Sequence, residues 1–447
     1  MKKTIVLIFA ILLSASTVFS QEKQIGKETP AQKKERMQWW TDARFGMFIH
    51  WGLYALPARH EWVKHNERLT SEQYQKYFEE FNPVNYDPIK WAKEAKKAGM
   101  KYAVLTTKHH EGFCLFDSKY TDYKATNTKV KRDLAQEFVD AFRAEGLKVG
   151  FYYSLIDWHH PDFTIDRVHP QRVSSTEEYN TLNVRKDMNR YRTYLHNQVK
   201  EILTNYGKID ILWLDFSYPG DNGKGRDDWD AIELIKMARK LQPGIIINNR
   251  ADLNDYLDGY DFETPEQVSS AELKNYRGKY WETCQTFSGS WGYHRDETSW
   301  KSEEQLLDLL ITSTANGGNL LLNVGPTAKG EFDHRAVDAL EKIGYWMHAN
   351  SSSIYNCTYA PDKYALPENM NVRLTFNPKE RKLYLHLFDF PSGGKIELKG
   401  YEEKIKYAQM LNDYSEVKFQ QNNDTLILQL SIQKPPYEVP VVELVLE

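Results

Sequence analysis

The chain has 447 residues, long enough for a large core and more than one domain. Its formal net charge is −4, from 58 basic against 62 acidic side chains with no long basic run, which argues against nucleic acid as the main partner. Aromatic residues are plentiful, with 12 Trp and 28 Tyr, and suit both a large core and a sugar cleft that uses rings as stacking platforms.

Met1–Ser20 has the form of a cleaved export leader, with Lys2 and Lys3 ahead of the apolar run Ile5–Leu13 and small residues at the Val18-Phe19-Ser20 cleavage site. The mature chain is expected to begin near Gln21 and to be periplasmic or secreted. No Cys follows the cleavage site to accept a lipid, and no later apolar run is long enough to span a bilayer. Cys114, Cys284 and Cys357 are too few for a disulfide framework and lack the spacing of a zinc site, so they read as buried thiols.

The first apolar strand, Arg44–Ile49, ends in His50-Trp51-Gly52. An excursion over Leu53–Asn85 carries His60-Glu61-Trp62. Asp87-Pro88 then opens a helix that Gly99 closes, an N-cap followed by Pro at the first helical position. The unit repeats. Lys101–Thr107 is a strand leading into Lys108-His109-His110-Glu111-Gly112-Phe113, and Asp133 caps a helix that Gly146 ends. Val149–Ser154 is the third strand, followed by a long loop with Trp158-His159-His160. Tyr191, Leu195, Val199, Ile202 and Tyr206 then keep helical register. Ile209–Phe216 is a continuous apolar strand that runs into a carboxylate, Asp215, and a helix near Asp228–Leu241 precedes a fifth strand, Gly244–Arg250. Tyr260–Glu266 and Tyr280–Cys284 read as short strands six and seven. Ser302 and Gln305 form a capping box for a helix over Glu303–Ala315, Gly318–Val324 is the eighth strand, and Asp333–Ala349 the last helix.

Eight strands interleaved with helices over residues 21–350 predict an α/β fold, a (β/α)8-like barrel with two degraded units. A doubly wound open sheet is disfavoured because no Gly-rich phosphate loop follows the first strand. Residues 351–447 carry short runs with period-two alternation between Pro, Gly and Asn turns, which predicts a C-terminal antiparallel β-sandwich.

Polar and aromatic residues collect at successive strand ends, where such a barrel builds its site: His50, His109, His110, Tyr153, Trp213, Asp215, Arg250, Glu266 and Glu282. A metal centre is disfavoured, since adjacent residues such as His109 and His110 point to opposite faces of a strand and no further ligand motif is present; no cofactor is expected. Two carboxyls among His, Trp and Tyr suit glycoside hydrolysis, which needs one ionised group at the anomeric centre and one protonated group for the leaving oxygen. Asp215 fits the first role, with Arg250 one strand along to keep it ionised. Glu266, Glu282, Glu61 and Glu111 compete for the second. An inactive glycan-binding protein and a metal-dependent sugar enzyme on the same barrel are the rival readings.

His50-Trp51-Gly52, Lys108–Phe113, Leu212-Trp213-Leu214-Asp215, Ser290-Trp291-Gly292-Tyr293 and Asn319–Pro326 together resemble the α-L-fucosidases of glycoside hydrolase family 29. The resemblance spans the barrel in the right order. It implies a retaining exo-hydrolase acting on fucosylated oligosaccharides or glycoconjugates, with a barrel followed by a β-sandwich. It makes Asp215 the nucleophile and, through Asp261–Glu266, points to Glu266 as acid/base. It places His50, Glu61, Trp62, His109, His110, Tyr153, Trp213 and Arg250 around the sugar, with Trp291 or Tyr293 near its C5 methyl group. The loops Leu53–Asn85, Asp157–Arg185 and Phe216–Trp229 lie outside that pocket and are expected to set linkage preference.

Overall fold

The computed structural model describes residues 23–447; the leader expected over Met1–Ser20 lies outside them. Seven parallel strands form one sheet: β1 (Phe45–Ile49), β2 (Tyr102–Lys108), β3 (Lys148–Ser154), β4 (Ile211–Asp215), β5 (Ile246–Ile247), β6 (Glu282–Thr286) and β7 (Asn319–Val324). All their residues except Lys148 are buried, as expected of parallel strands covered on both faces. The order is β5-β4-β3-β2-β1-β7-β6, a curled sheet whose two edges are β5 and β6.

The expected sixth strand, Tyr260–Glu266, sits in that gap without forming a ladder. It makes isolated parallel bridges, Phe262 to Asn248, Glu263 to Trp281 and Glu266 to Cys284. The Asp261 N–H donates to the Ile247 carbonyl at 2.7 Å, and the Glu282 N–H donates to the Glu263 carbonyl at 2.9 Å, so the segment touches both edges and closes the cylinder. Two local causes interrupt the ladder. The Asn248 side-chain amide takes up both the N–H and the carbonyl of Leu214, at 2.9 and 2.8 Å, where a longer β5 would pair. Pro265 has no N–H to give.

Strand alternation divides the core in two. Phe48, Val104, Tyr152, Ile211, Trp213 and Leu321 point into the cylinder, while Phe151, Tyr153, Leu212 and Leu214 pack outward against the helices. The helix Pro30–Ala43, started by a Thr29–Gln32 capping box, sends Met37 and Trp40 into the inner cluster. Its Arg36 pairs with the buried Asp261 carboxylate at 2.7 Å, which also accepts from Arg239 and from the Ile247 N–H. Helix Pro30–Ala43 was not expected from the sequence, in which Gln21–Arg36 reads as a loose polar lead-in. The expected helix starts hold: Asp87 accepts from the N–H groups of Ile89 and Lys90, Asp133 from Gln136, and Ser302 from Gln305.

Beyond the helix His334–Asn350 the chain becomes antiparallel. Thr358–Tyr359, Val372–Asn377, Lys382–Leu387, Ile405–Met410 and Val441–Leu446 make one sheet; Lys395–Leu398, Lys418–Asn422 and Thr425–Gln429 make a second. Leu383, Leu385, Val442 and Leu444 from the first share one core with Ile396, Leu398, Leu426 and Leu428 from the second. This part seats on the barrel through Trp346, whose indole N–H donates to the Val439 carbonyl at 2.7 Å, and through an Arg373–Asp308 pair at 3.0 Å. Cys114, Cys284 and Cys357 are free and buried.

Candidate active site

The C-terminal ends of the strands surround a pocket of about 410 Å³ of empty space, open solvent included. A wider depression of about 1320 Å³, lined by Lys33, Tyr256 and Lys279, shares no residue with it. Chemistry rather than size distinguishes the smaller one.

Asp215 closes β4, and its side chain is only 12% exposed. The Arg250 guanidinium donates to its Oδ1 at 3.0 Å and the Tyr152 hydroxyl to its Oδ2 at 2.8 Å. Burial pushes the Asp215 carboxyl up to about 6; Arg250 pulls it down and the nearby Glu266 charge adds to the rise. The other arm of Arg250 donates to Glu266 Oε2 at 2.7 Å, and its Nε donates to Thr264 Oγ1 at 2.9 Å. One planar fork therefore holds two carboxylates, the first sheltered and the second 43% exposed. Burial works against the Arg250 charge, but Asp215 and Glu266 raise its pKa above the usual arginine value.

Three imidazoles line the same cavity. Asn323 Nδ2 donates to the Trp291 carbonyl at 2.7 Å, which fixes the amide and leaves its Oδ1 to accept from His50 Nδ1 at 2.6 Å. The His50 Nε2 lone pair is thereby left as the ring's acceptor. His110 is set the same way. Ser154 gives its proton to the Ile156 carbonyl and accepts from His110 Nδ1 at 2.7 Å, while His110 Nε2 stands 3.9 Å from Asp215 Oδ2. Burial drops His50 to about 3 and holds His109 and His110 well below the usual histidine value, so all three are neutral. His109 Nδ1 has no partner. Glu61 is buried and accepts from the Gly292 N–H at 2.8 Å through Oε2. Its Oε1 lies 3.2 Å from His60 Nδ1, out of hydrogen-bonding alignment. Unspent acceptors and a charged fork around a ring-sized cavity are what a polyhydroxylated ligand requires.

The α-L-fucosidase family model matches residues 11–352. The chain belongs to the α-L-fucosidase family. It is a glycoside hydrolase of family 29, and curated relatives agree: the α-L-fucosidase of Dictyostelium discoideum is 29% identical over 426 residues, covering 88% of this chain and 86% of that one. Among solved structures, α-L-fucosidase isoenzyme 1 from Paenibacillus thiaminolyticus superposes with a TM-score of 0.84 at 47% identity, covering 93% of this chain and 99% of that one. A family 29 α-L-fucosidase from Bacteroides thetaiotaomicron, solved as a trapped covalent intermediate with 2-fluoro-fucosyl fluoride, superposes with a TM-score of 0.79 at 28% identity, covering 96% and 98%.

Of the residues singled out in the sequence, the pocket gathers His50, Glu61, Trp62, His109, His110, Trp213, Asp215, Arg250, Glu266 and Trp291. Two are elsewhere. Tyr153 faces outward, donates to Gln198 Oε1 at 2.8 Å and lies under Lys108; its neighbour Tyr152 holds the inward position, because successive strand residues alternate. Tyr293 lines a separate small cavity with Ser290 and Trp300, and Trp291 alone reaches the pocket, its ring 5.1 Å from that of His50.

The alternation argument against His109 and His110 acting together also needs correction. β2 ends at Lys108, and a turn closed by the Gly112 N–H on the His109 carbonyl brings both rings to one side, 4.0 Å apart. Gly112 makes that turn at φ +87°, with no room for a side chain against Asp157. Glu282 is not at the mouth. It begins β6, is fully buried, and accepts from the Tyr102 hydroxyl inside the cylinder, where burial pushes it up to about 7. Glu111 is likewise sequestered, accepting from the Leu53 N–H and Tyr74 hydroxyl. Phe48, Tyr152, Phe216 and Cys284 complete the lining, although the sequence did not mark them as site residues. Among the described residues, no group of three or more His, Cys, Asp or Glu has the geometry to hold a metal ion.

Proposed function

We infer that the chain is a retaining exo-α-L-fucosidase acting on terminal α-L-fucosyl units of oligosaccharides or glycoconjugates, with Asp215 as nucleophile and Glu266 as acid/base. The observation that carries this reading is the Arg250 fork, which holds a sheltered carboxylate and an exposed one at the same pocket. Retaining glycosidases work with two carboxyls on either side of the scissile bond, about 5–5.5 Å apart, and here one guanidinium bonds to both. The covalent intermediate trapped in the Bacteroides thetaiotaomicron relative supports the double displacement.

In the first step Asp215 attacks the anomeric carbon, the glycosidic bond breaks, and protonated Glu266 gives its proton to the departing oxygen. In the second, Glu266 takes a proton from water, the water oxygen bonds to the anomeric carbon and the ester to Asp215 breaks, releasing α-L-fucose. The neutral His50, His109 and His110 receive the sugar hydroxyls, and Trp291 lies against the apolar edge of the ring. The leader expected in the sequence would place this activity outside the cytoplasm.

The test is chemical rescue. Asp215→Gly is expected to lose nearly all turnover and to regain part of it with azide, forming β-fucosyl azide; near-normal turnover without azide would refute the assignment. Glu266→Ala is expected to slow poor leaving groups by about 10²–10⁴-fold and activated aryl fucosides much less. Equal slowing of both classes would remove Glu266 from the acid/base role.

A further inference from the structure

The residue after the nucleophile has an unusual backbone. Phe216 sits at φ +83°, a region costly for a side-chain-bearing residue and usually left to glycine. Glycine would relieve the strain, so the ring must be worth keeping. That ring stands 4.8 Å from His110 and 5.3 Å from Trp62. Exposure separates the pocket's aromatics. Phe48, Tyr152 and Trp213 are buried in the floor, whereas Phe216, Trp62 and Trp291 are half-buried, Trp291 beside His50 and the other two beside His110.

The wall behind Phe216 is fastened. Lys224 and Asp166, each 3% exposed, form an ion pair joining the loop after β4 to the loop after β3. The Tyr218 hydroxyl donates to the same Asp166 at 2.6 Å, and Arg167 donates to the carbonyls of Tyr218 and Asp221 at 2.8 and 2.7 Å. These bonds tie the two loops to each other, and Phe216 lies at the start of the tied segment.

We propose that Phe216, flanked by Trp62, is the platform for the first pyranose of the leaving group and so a specificity-determining residue. This rests on the hydrolase reading above. If Glu266 protonates the leaving oxygen, the next sugar lies at the mouth beside it, and the apolar faces left at that mouth are Phe216 and Trp62. An aromatic face there takes the C–H side of a pyranose ring.

The test compares kcat/KM of the full chain on α-L-fucosyl fluoride, whose leaving group has no ring, with that on the fucosyl disaccharide it cleaves fastest in a linkage-defined set. Phe216→Ala and Phe216→Gly are expected to lower the disaccharide-to-fluoride ratio by about ten-fold, mainly through KM, and Phe216→Tyr to keep it. Phe216→Gly guards against misfolding, since it relaxes the backbone. An unchanged ratio, however far both rates fall, overturns the platform and leaves the ring as a support for His110. A wild-type chain inert towards the fluoride would overturn the hydrolase reading itself, and the platform with it.

Discussion

Two of the buried carboxyls, Asp215 and Glu282, bear on pH behaviour in different ways. As the proposed nucleophile, Asp215, raised to about 6, would have to lose its proton to attack, so kcat/KM should fall as pH drops below about 6. Tyr152 steadies the ionised form through its 2.8 Å bond. Tyr152→Phe should move that acid limb upward by about one pH unit, and a pH–rate profile that does not move would show the bond to be idle. Glu282, raised to about 7, affects stability. Its proton is held more tightly in the fold than in the unfolded chain. The stability this gives is complete below about 4.3 and is lost as pH rises through about 7. Glu282→Gln, with no proton to lose, should unfold like wild type near pH 4 and be more stable by about 3 kcal/mol at pH 8, measured by urea denaturation. At this scale the sequence was legible where motif and strand end coincide, as at Asp215 and His50. It misled where one position of register decides the face, as at Tyr152 and Tyr153, or where a turn overrides alternation, as at His109 and His110. Phe216 was legible only as the start of a loop expected to set linkage preference; its backbone angle left no signal.

At the scale of elements, the barrel depends on its weakest join. The segment from Asp261 to Glu266 holds both sheet edges by isolated bridges, and the same segment carries the exposed carboxylate. Burial alone would raise Asp261, but Arg239, Arg36 and Lys33 keep it below the usual carboxylate value. Its contribution is therefore present at neutral pH and lost as the medium becomes acidic. Asp261→Ala should cost about 3–5 kcal/mol in urea unfolding by removing the buried acceptor shared by Arg36, Arg239 and the Ile247 N–H. It should also lower kcat/KM, since Glu266 hangs five residues further along. Intact activity in a destabilised variant would show that the join does not position Glu266. The long strands and capped helices were readable from period and caps. The join was legible as a sixth strand but not as isolated bridges, because the side-chain amide of Asn248 takes up the Leu214 backbone groups that a longer β5 would pair.

Taken whole, the molecule is expected to melt as one unit. Tyr384, Leu411, Val439 and Val441 from the antiparallel part belong to the same buried cluster as the helices around the barrel. Trp346→Ala, which empties the centre of that seam, should cost about 3–5 kcal/mol and lower the calorimetric midpoint without splitting it. Two resolved transitions would mean that the parts unfold independently. The sequence announced the change of texture after Asn350 but not this shared core, since contacts between distant segments leave no period to read. The cylinder has a further consequence for traffic. Its interior is stoppered by Phe48, Trp213 and Trp40, with helix Pro30–Ala43 beyond, so the cavity is a cul-de-sac with one doorway. A branched chain can present only its tips to such a chamber. On the double-displacement reading, the severed remainder stands in the doorway while the fucosyl group is still bonded to Asp215, so it must leave before water can enter, and departure is first-in, last-out.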